Sequence, residues 1–252
     1  MDIPIHRLTS FTTNALVAQW KKNYAPSTAW NLRRVLRKFL EYLEAAGGSA
    51  EPRHNLITLR KPAPRTTTVT DEQRTKLLDA AEPWLRCFIL LCSQLALRRA
   101  EALRVSPRMY DTEKQTVTVP TKGGQTITLP ITDELRELFE LAPDTDDTET
   151  PYIWKLRGGT LRPDTIHRHF RRLVKKAGIE APLIPHDFRR AAANKMYELS
   201  GDIRAVQQLL GHSDLASTAW YLQHRDPEKL RPLVQQLARW RHFKPNKEEP
   251  VQ

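Results

Sequence analysis

Between residues 27 and 46 the apolar side chains Trp30, Leu32, Val35, Leu36, Phe39, Leu40 and Leu43 recur at helical spacing, with Arg33, Arg34, Arg37 and Lys38 filling much of the remainder. That period predicts a helix with one apolar stripe and a basic face, and Gly47 is placed to end it. A shorter helix over 11–24 contains Leu16 and Trp20. From 48 to 69 the periodicity is lost. Pro52, Pro62, Pro64 and the run Thr66-Thr67-Thr68 predict an extended linker there. Thr70 and Gln73 then have the spacing of a capping box ahead of Lys76-Leu77-Leu78, which predicts the start of a second domain.

The apolar run from 83 to 97 predicts a buried helix. Two alternating runs, 115–120 and 125–129, flank Lys122-Gly123-Gly124 and predict a β-hairpin. Further helices are predicted over 132–141, 163–177, 185–199, 202–210, 216–223 and 227–240. Residues 144–150, acidic and rich in threonine, predict a surface loop. The fold class is therefore mainly α with a small antiparallel β-sheet. It divides into a short helical region over 1–62, a linker to about 69, and a larger domain over 70–252.

Charge changes the picture. The 252 residues carry 40 Lys and Arg against 29 Asp and Glu, a net charge of +11. Ten of those bases and four of the acids fall in residues 1–62, so the first quarter is several times more basic per residue than the rest. Such an excess suits a polyanionic partner, through release of its counterions. Cys87 and Cys92 lie in the apolar run Cys87-Phe88-Ile89-Leu90-Leu91-Cys92 and read as core thiols rather than a disulfide or zinc pair. That run is too short to span a bilayer, which takes roughly 20 apolar residues. Residues 1–7 lack the apolar stretch of a secretion signal. A cytoplasmic protein with no membrane partner is the expectation.

The candidate chemistry is scattered along the second domain. Arg98 lies in Ala96-Leu97-Arg98-Arg99-Ala100-Glu101, and Lys122 at the hairpin tip. His186 and Arg189 lie in His186-Asp187-Phe188-Arg189, His212 in Leu210-Gly211-His212-Ser213, and Tyr221 nine positions later. Guanidinium, ammonium and imidazole groups are donors suited to a phosphodiester, and a tyrosine is a natural covalent acceptor of a phosphoryl group. Neither a His-Glu-x-x-His motif nor a third ligand at metal spacing accompanies the two histidines, so no metal is expected. Taken singly each box is common. Their order, with a lysine in a hairpin between the first two, is specific.

From about Thr70 onward, these boxes resemble the catalytic domain of the tyrosine recombinase (phage integrase) family. The resemblance implies DNA breakage and rejoining through a 3′-phosphotyrosyl intermediate, without ATP, metal or other cofactor. It makes Tyr221 the nucleophile, Arg98 and Arg189 phosphate clamps, His186 the proton acceptor, His212 a phosphate donor and Lys122 the general acid. Glu101 is expected behind them, orienting an arginine or histidine. Arg33, Arg34, Arg37, Lys38 and Arg190 are expected to contact DNA away from the cut. Ala96 stands where the family usually has glycine, a change expected to ask only for slightly tighter packing.

Implied partners are double-stranded DNA at specific sites, three further copies of the chain in a tetramer on DNA, and possible accessory DNA-bending proteins. The helix over 227–240 has its apolar residues free either for a neighbouring subunit or for packing within the chain. Two other functions use the same residues differently. One is a type IB topoisomerase-like enzyme that reseals the same strand, and the other is a non-catalytic DNA-binding remnant of an integrase. The region 1–62 leaves room for about two helices, where the family normally has a bundle of four or more.

Overall fold

The computed structural model describes residues 8–49, 51–63, 65–121, 124–160 and 162–211. The chain divides into two compact units, Met1–Thr66 and Thr67–Gln252. The first holds α1 (Ser10–Asn23), α2 (Pro26–Ala45) and α3 (Glu51–His54). Thr9 and Thr12 cap α1 reciprocally, each side-chain oxygen accepting from the other's backbone N–H at 3.4 and 3.0 Å. Val17, Leu40 and Leu56 form a small core, packed by Trp20, Leu36, Leu43 and Leu59.

The extended linker expected over 48–69 is thus corrected in its first part only. Its first part makes α3 and buries Leu56. Asn14 explains the difference: its side chain donates to Asn55 O at 2.9 Å and accepts from Ile57 N at 2.8 Å. The backbone there finds partners on α1 that an extended linker would find only in water.

The second unit runs α4 (Asp71–Ala80), α5 (Pro83–Ser93), α6 (Arg99–Ala102), β1 (Tyr110–Asp111), β2 (Thr116–Pro120), β3 (Thr126–Pro130), α7 (Asp133–Glu140), α8 (Tyr152–Arg157), α9 (Ile166–Lys176), α10 (Pro185–Ser200) and α11 (Ile203–Leu210). The Thr70–Gln73 capping box forms, with both bonds at 3.1 Å. The hub is α5, whose residues from Cys87 to Cys92 are fully buried and which packs against α7, α8 and α10. The sheet is antiparallel in the order β1-β2-β3, with Val117 opposite both Tyr110 and Leu129. Val117, Val119 and Leu129 turn into the core.

Two local differences from the sequence reading matter for the site. The buried helix expected to reach residue 97 ends at Ser93. Beyond it Ala96 adopts φ +50°, and Leu97 N donates to Leu91 O at 3.1 Å. This turn lets a new short helix start at Arg99. The change from glycine at Ala96 is therefore not one of packing. A left-handed residue with a Cβ costs roughly 1 kcal/mol in backbone energy that glycine avoids.

The second difference is α8, which no periodicity announced. Its six residues are held by aromatic packing, Tyr152 stacking on Phe139 with ring centroids 3.9 Å apart, and by Gly158 in the left-handed conformation at its end. Among the described residues no helix is long and apolar enough to cross a membrane. The helices expected over 216–223 and 227–240 lie outside the described residues.

Candidate active site

Arg98 occupies the cap position of α6, three residues ahead of Glu101. The Glu101 carboxylate accepts twice from it, from the backbone N–H at 2.7 Å and from Nη1 at 2.8 Å. Glu101 itself is buried, whereas Arg98 keeps 36% of its side chain open to solvent. A charge-assisted pair thus fixes one edge of the guanidinium and leaves the group accessible.

Arg189 is different. Its side chain is 1% exposed. Nη1 donates to Ala96 O and Nη2 to Leu210 O, the latter at 2.7 Å, and Nη1 stands 3.8 Å from the Glu101 carboxylate. In this conformation the terminal nitrogens of Arg189, the expected phosphate clamp, serve two carbonyls inside the protein. Those carbonyls belong to the segments leading into Arg98 and His212, two residues before each. One buried guanidinium therefore ties together three boxes that lie far apart in sequence.

Gly211 extends the convergence. It ends α11 at φ +57°, and a Cβ placed there would lie 3.4 Å from Ile127 Cδ1 and 3.5 Å from Thr121 Cγ2. The glycine that precedes His212 in sequence thus rests on Ile127 and Thr121. Lys122, His212 and Tyr221 themselves lie outside the described residues.

His186 sits in the first turn of α10, accessible to solvent yet crowded by protein on its inner side. Desolvation first, and then the charges of Arg190 and Arg189, hold its imidazole below the ordinary histidine pKa; Asp187 opposes them and Arg98 adds a smaller push. It is therefore neutral at pH 7 and able to accept a proton. Nearby, Cys92 lies in the field of Arg189 and Glu101, but burial dominates and pushes its thiol up to about 12. A thiol so protonated is inert. Among the described residues no three His, Cys, Asp or Glu side chains gather as a metal site.

Arg190, the expected DNA contact, points inward in this structure, donating to Thr67 O at 2.6 Å and pairing with fully buried Asp187 at 3.3 Å. Asp187 in turn accepts from Ile184 N at 2.9 Å at the start of α10. Removing the cation takes the charge partner from a buried carboxylate. Arg190→Ala should lower unfolding stability by about 3 kcal/mol in a urea titration. The salt dependence of DNA binding should stay unchanged. A fall of about one in that slope would return Arg190 to the DNA.

The basic face of α2 is partly occupied. Arg33 Nε donates to Ile57 O at 2.9 Å, and Arg37 and Lys38 both pair with Glu41, at 3.3 and 2.8 Å. Arg34 lies over the Trp30 ring, 5.5 Å from its centroid. Exposed pairs of this kind hold their side chains only weakly.

Residues 67–228 match the Phage integrase family. The chain belongs to that family. Among curated relatives it is 30% identical over 200 residues to the tyrosine recombinase XerC of Rhizobium meliloti (strain 1021), covering 74% of this chain and 63% of the relative. It is 30% identical over 234 residues to XerC of Alcanivorax borkumensis, covering 86% and 76%. The first of these alignments spans less than two thirds of the relative's length. The fold is shared with the lambda integrase tetramer solved on a Holliday junction, at 22% identity and a TM-score of 0.68 over 85% of this chain and 67% of that one. As in the sequence reading, this phage integrase chain is mainly α with one small antiparallel sheet.

Proposed function

We propose that this chain is a site-specific DNA recombinase that cuts and rejoins duplex DNA through a covalent tyrosine link. The observation that carries the reading is the Arg189 guanidinium, which binds the carbonyls of Ala96 and Leu210 and so gathers the boxes of a phage integrase around Arg98. Tyr221 Oη attacks the scissile phosphorus as its proton passes to neutral His186. The P–O5′ bond breaks, and Lys122 protonates the departing 5′ oxygen. A 3′-phosphotyrosyl bond and a free 5′-hydroxyl remain. The 5′-hydroxyl of a partner strand then attacks the same phosphorus and releases Tyr221, so the bond energy is kept and neither ATP nor metal enters the balance.

Arg98 and His212 donate to the non-bridging oxygens, where charge grows in the transition state. Arg189 acts as a positioning residue, adding a fixed positive charge beneath them. The working assembly is four chains on two duplexes, a reading supported by the lambda integrase tetramer on its junction. Arg34, Arg37 and Lys38 of α2 exchange their present partners for backbone phosphates. Arg33 joins them once it leaves Ile57 O.

A supercoiled plasmid carrying two candidate sites from the DNA flanking its gene tests this reading. Exchange products support recombination, relaxation alone supports resealing of the same strand, and binding with neither supports a regulator. Arg98→Lys keeps a cation for Glu101 and should fold like the parent, but it loses the two-pronged donor. Its single-turnover cleavage should be slower by roughly 100-fold. An unchanged rate would remove Arg98 from the transition state.

A further inference from the structure

Arg190 is buried, and one nitrogen of its guanidinium serves two partners. Nη1 donates to Thr67 O at 2.6 Å and to the Asp187 carboxylate at 3.3 Å. Thr67 is the first residue of the second unit, and Val69 belongs to the core of that unit. The guanidinium therefore pins the segment by which the chain enters the unit. Further along α10, Lys195 Nζ also meets Asp71 at 3.4 Å. That pair is exposed and holds only weakly.

The other end of the bridge is the turn that carries His186. Asp187 Oδ2 accepts from Ile184 N at 2.9 Å, while Asp187 N donates to Ile184 O at 2.9 Å. These reciprocal bonds close residues 184–187 into the capped start of α10. Pro185 and His186 lie between the tied ends. Asp187 is fully buried, and Arg190 supplies a cation for the oxygen that does not face Ile184 N. A charge-assisted bond of this kind holds a buried carboxylate more firmly than a neutral one.

We infer that Arg190 is a positioning residue, tying the entry segment at Thr67 to the turn that carries His186 and so holding the proton acceptor in place. The inference rests on the recombinase reading above, in which His186 takes the proton of Tyr221. It gives Arg190 a part in cleavage that needs no contact with DNA. A proton acceptor works only within hydrogen-bond reach of its donor, so a looser turn lowers the rate without removing any reacting group.

The same bridge leaves a signature in pH. Among the described residues, desolvation first and then Arg190, Arg189 and, more weakly, Arg98 lower the His186 pKa, and Asp187 raises it. Cleavage needs the neutral imidazole and fails as pH falls through that pKa. Removing the Arg190 charge raises the pKa, so the failure begins at higher pH.

The test is single-turnover adduct formation by the full chain on a nicked duplex, from about pH 5 to pH 8.5. Parent, Arg190→Gln and Arg190→Lys are each compared with and without His186→Ala. Arg190→Gln should slow cleavage by about tenfold and move the acid limb to higher pH. Arg190→Lys, which keeps a cation for Asp187, should restore the limb and most of the rate. With His186→Ala already present, Arg190→Gln should change the rate by less than about twofold, because residues acting as a unit are not additive. Circular dichroism checks folding. Should Arg190→Gln fail to fold, the double variant Asp187→Asn/Arg190→Gln takes its place. It leaves no buried carboxylate without its cation, and its rates with and without His186→Ala decide the question in the same way. Equal slowing in both backgrounds would mean a general structural role and overturn the inference. A parental rate and acid limb in Arg190→Gln, or a parental rate in His186→Ala, would overturn it too, with the recombinase reading left standing by the parent's adduct. A parent that forms no adduct would overturn both.

Discussion

Tyr221→Phe should bind DNA as tightly as the parent and form no covalent adduct at all. The phenol oxygen is the only heavy atom lost, and it contributes little to an affinity dominated by phosphate neutralisation. It is, however, the atom that must bond to phosphorus. A phenol with a pKa near 10 attacks at neutral pH only with its proton removed and cations nearby, so no neighbouring hydroxyl substitutes for it without the same surroundings. On a nicked suicide duplex, from which the short cleaved strand diffuses away, the parent should accumulate a slowly migrating protein–DNA band. The variant should give none over the same period. An undiminished band would place the nucleophile elsewhere.

The second large effect is at Arg189. Arg189→Ala should lower stability by about 3–5 kcal/mol, because it leaves two buried carbonyls without their donor and Glu101 with a single cation. Against a typical domain stability of about 5–15 kcal/mol that loss brings much of the population close to unfolding. Arg189→Lys separates positioning from folding. It preserves the charge, but one ammonium cannot span Ala96 O and Leu210 O in the same geometry. The lysine variant should remain folded, with cleavage slower by roughly 100-fold and DNA affinity close to that of the parent. Urea midpoints, adduct rates and binding isotherms together decide it. A lysine variant cleaving at the parental rate would mean that the two carbonyls do not need to be tied.

The contrast between Arg98 and Arg189 marks where the sequence stopped being informative. Both are arginines in recognisable boxes, and nothing in the linear text separates an accessible one from a buried one. The separation comes from Ala96, whose left-handed turn ends α5 early and presents a carbonyl to α10. The inward partners of Arg190 are hidden for a similar reason. Its partner Asp187 is visible three residues earlier, but that Thr67 O lies on the other side requires the fold.

Strong periodicity was legible. The helix expected over 27–46 is observed at Pro26–Ala45, and the Thr70 capping box forms as read. Short elements were not. α3 depends on Asn14, and α8 on an aromatic stack with Phe139, both distant in sequence.

The most direct test identifies the atom joined to DNA. Adduct trapped on the nicked duplex would be digested with protease and nuclease, and the nucleotide-bearing peptide sequenced by mass spectrometry. The account predicts a nucleotide attached through its 3′ phosphate to Tyr221. A nucleotide on any other residue, or one attached through a 5′ phosphate, would contradict it.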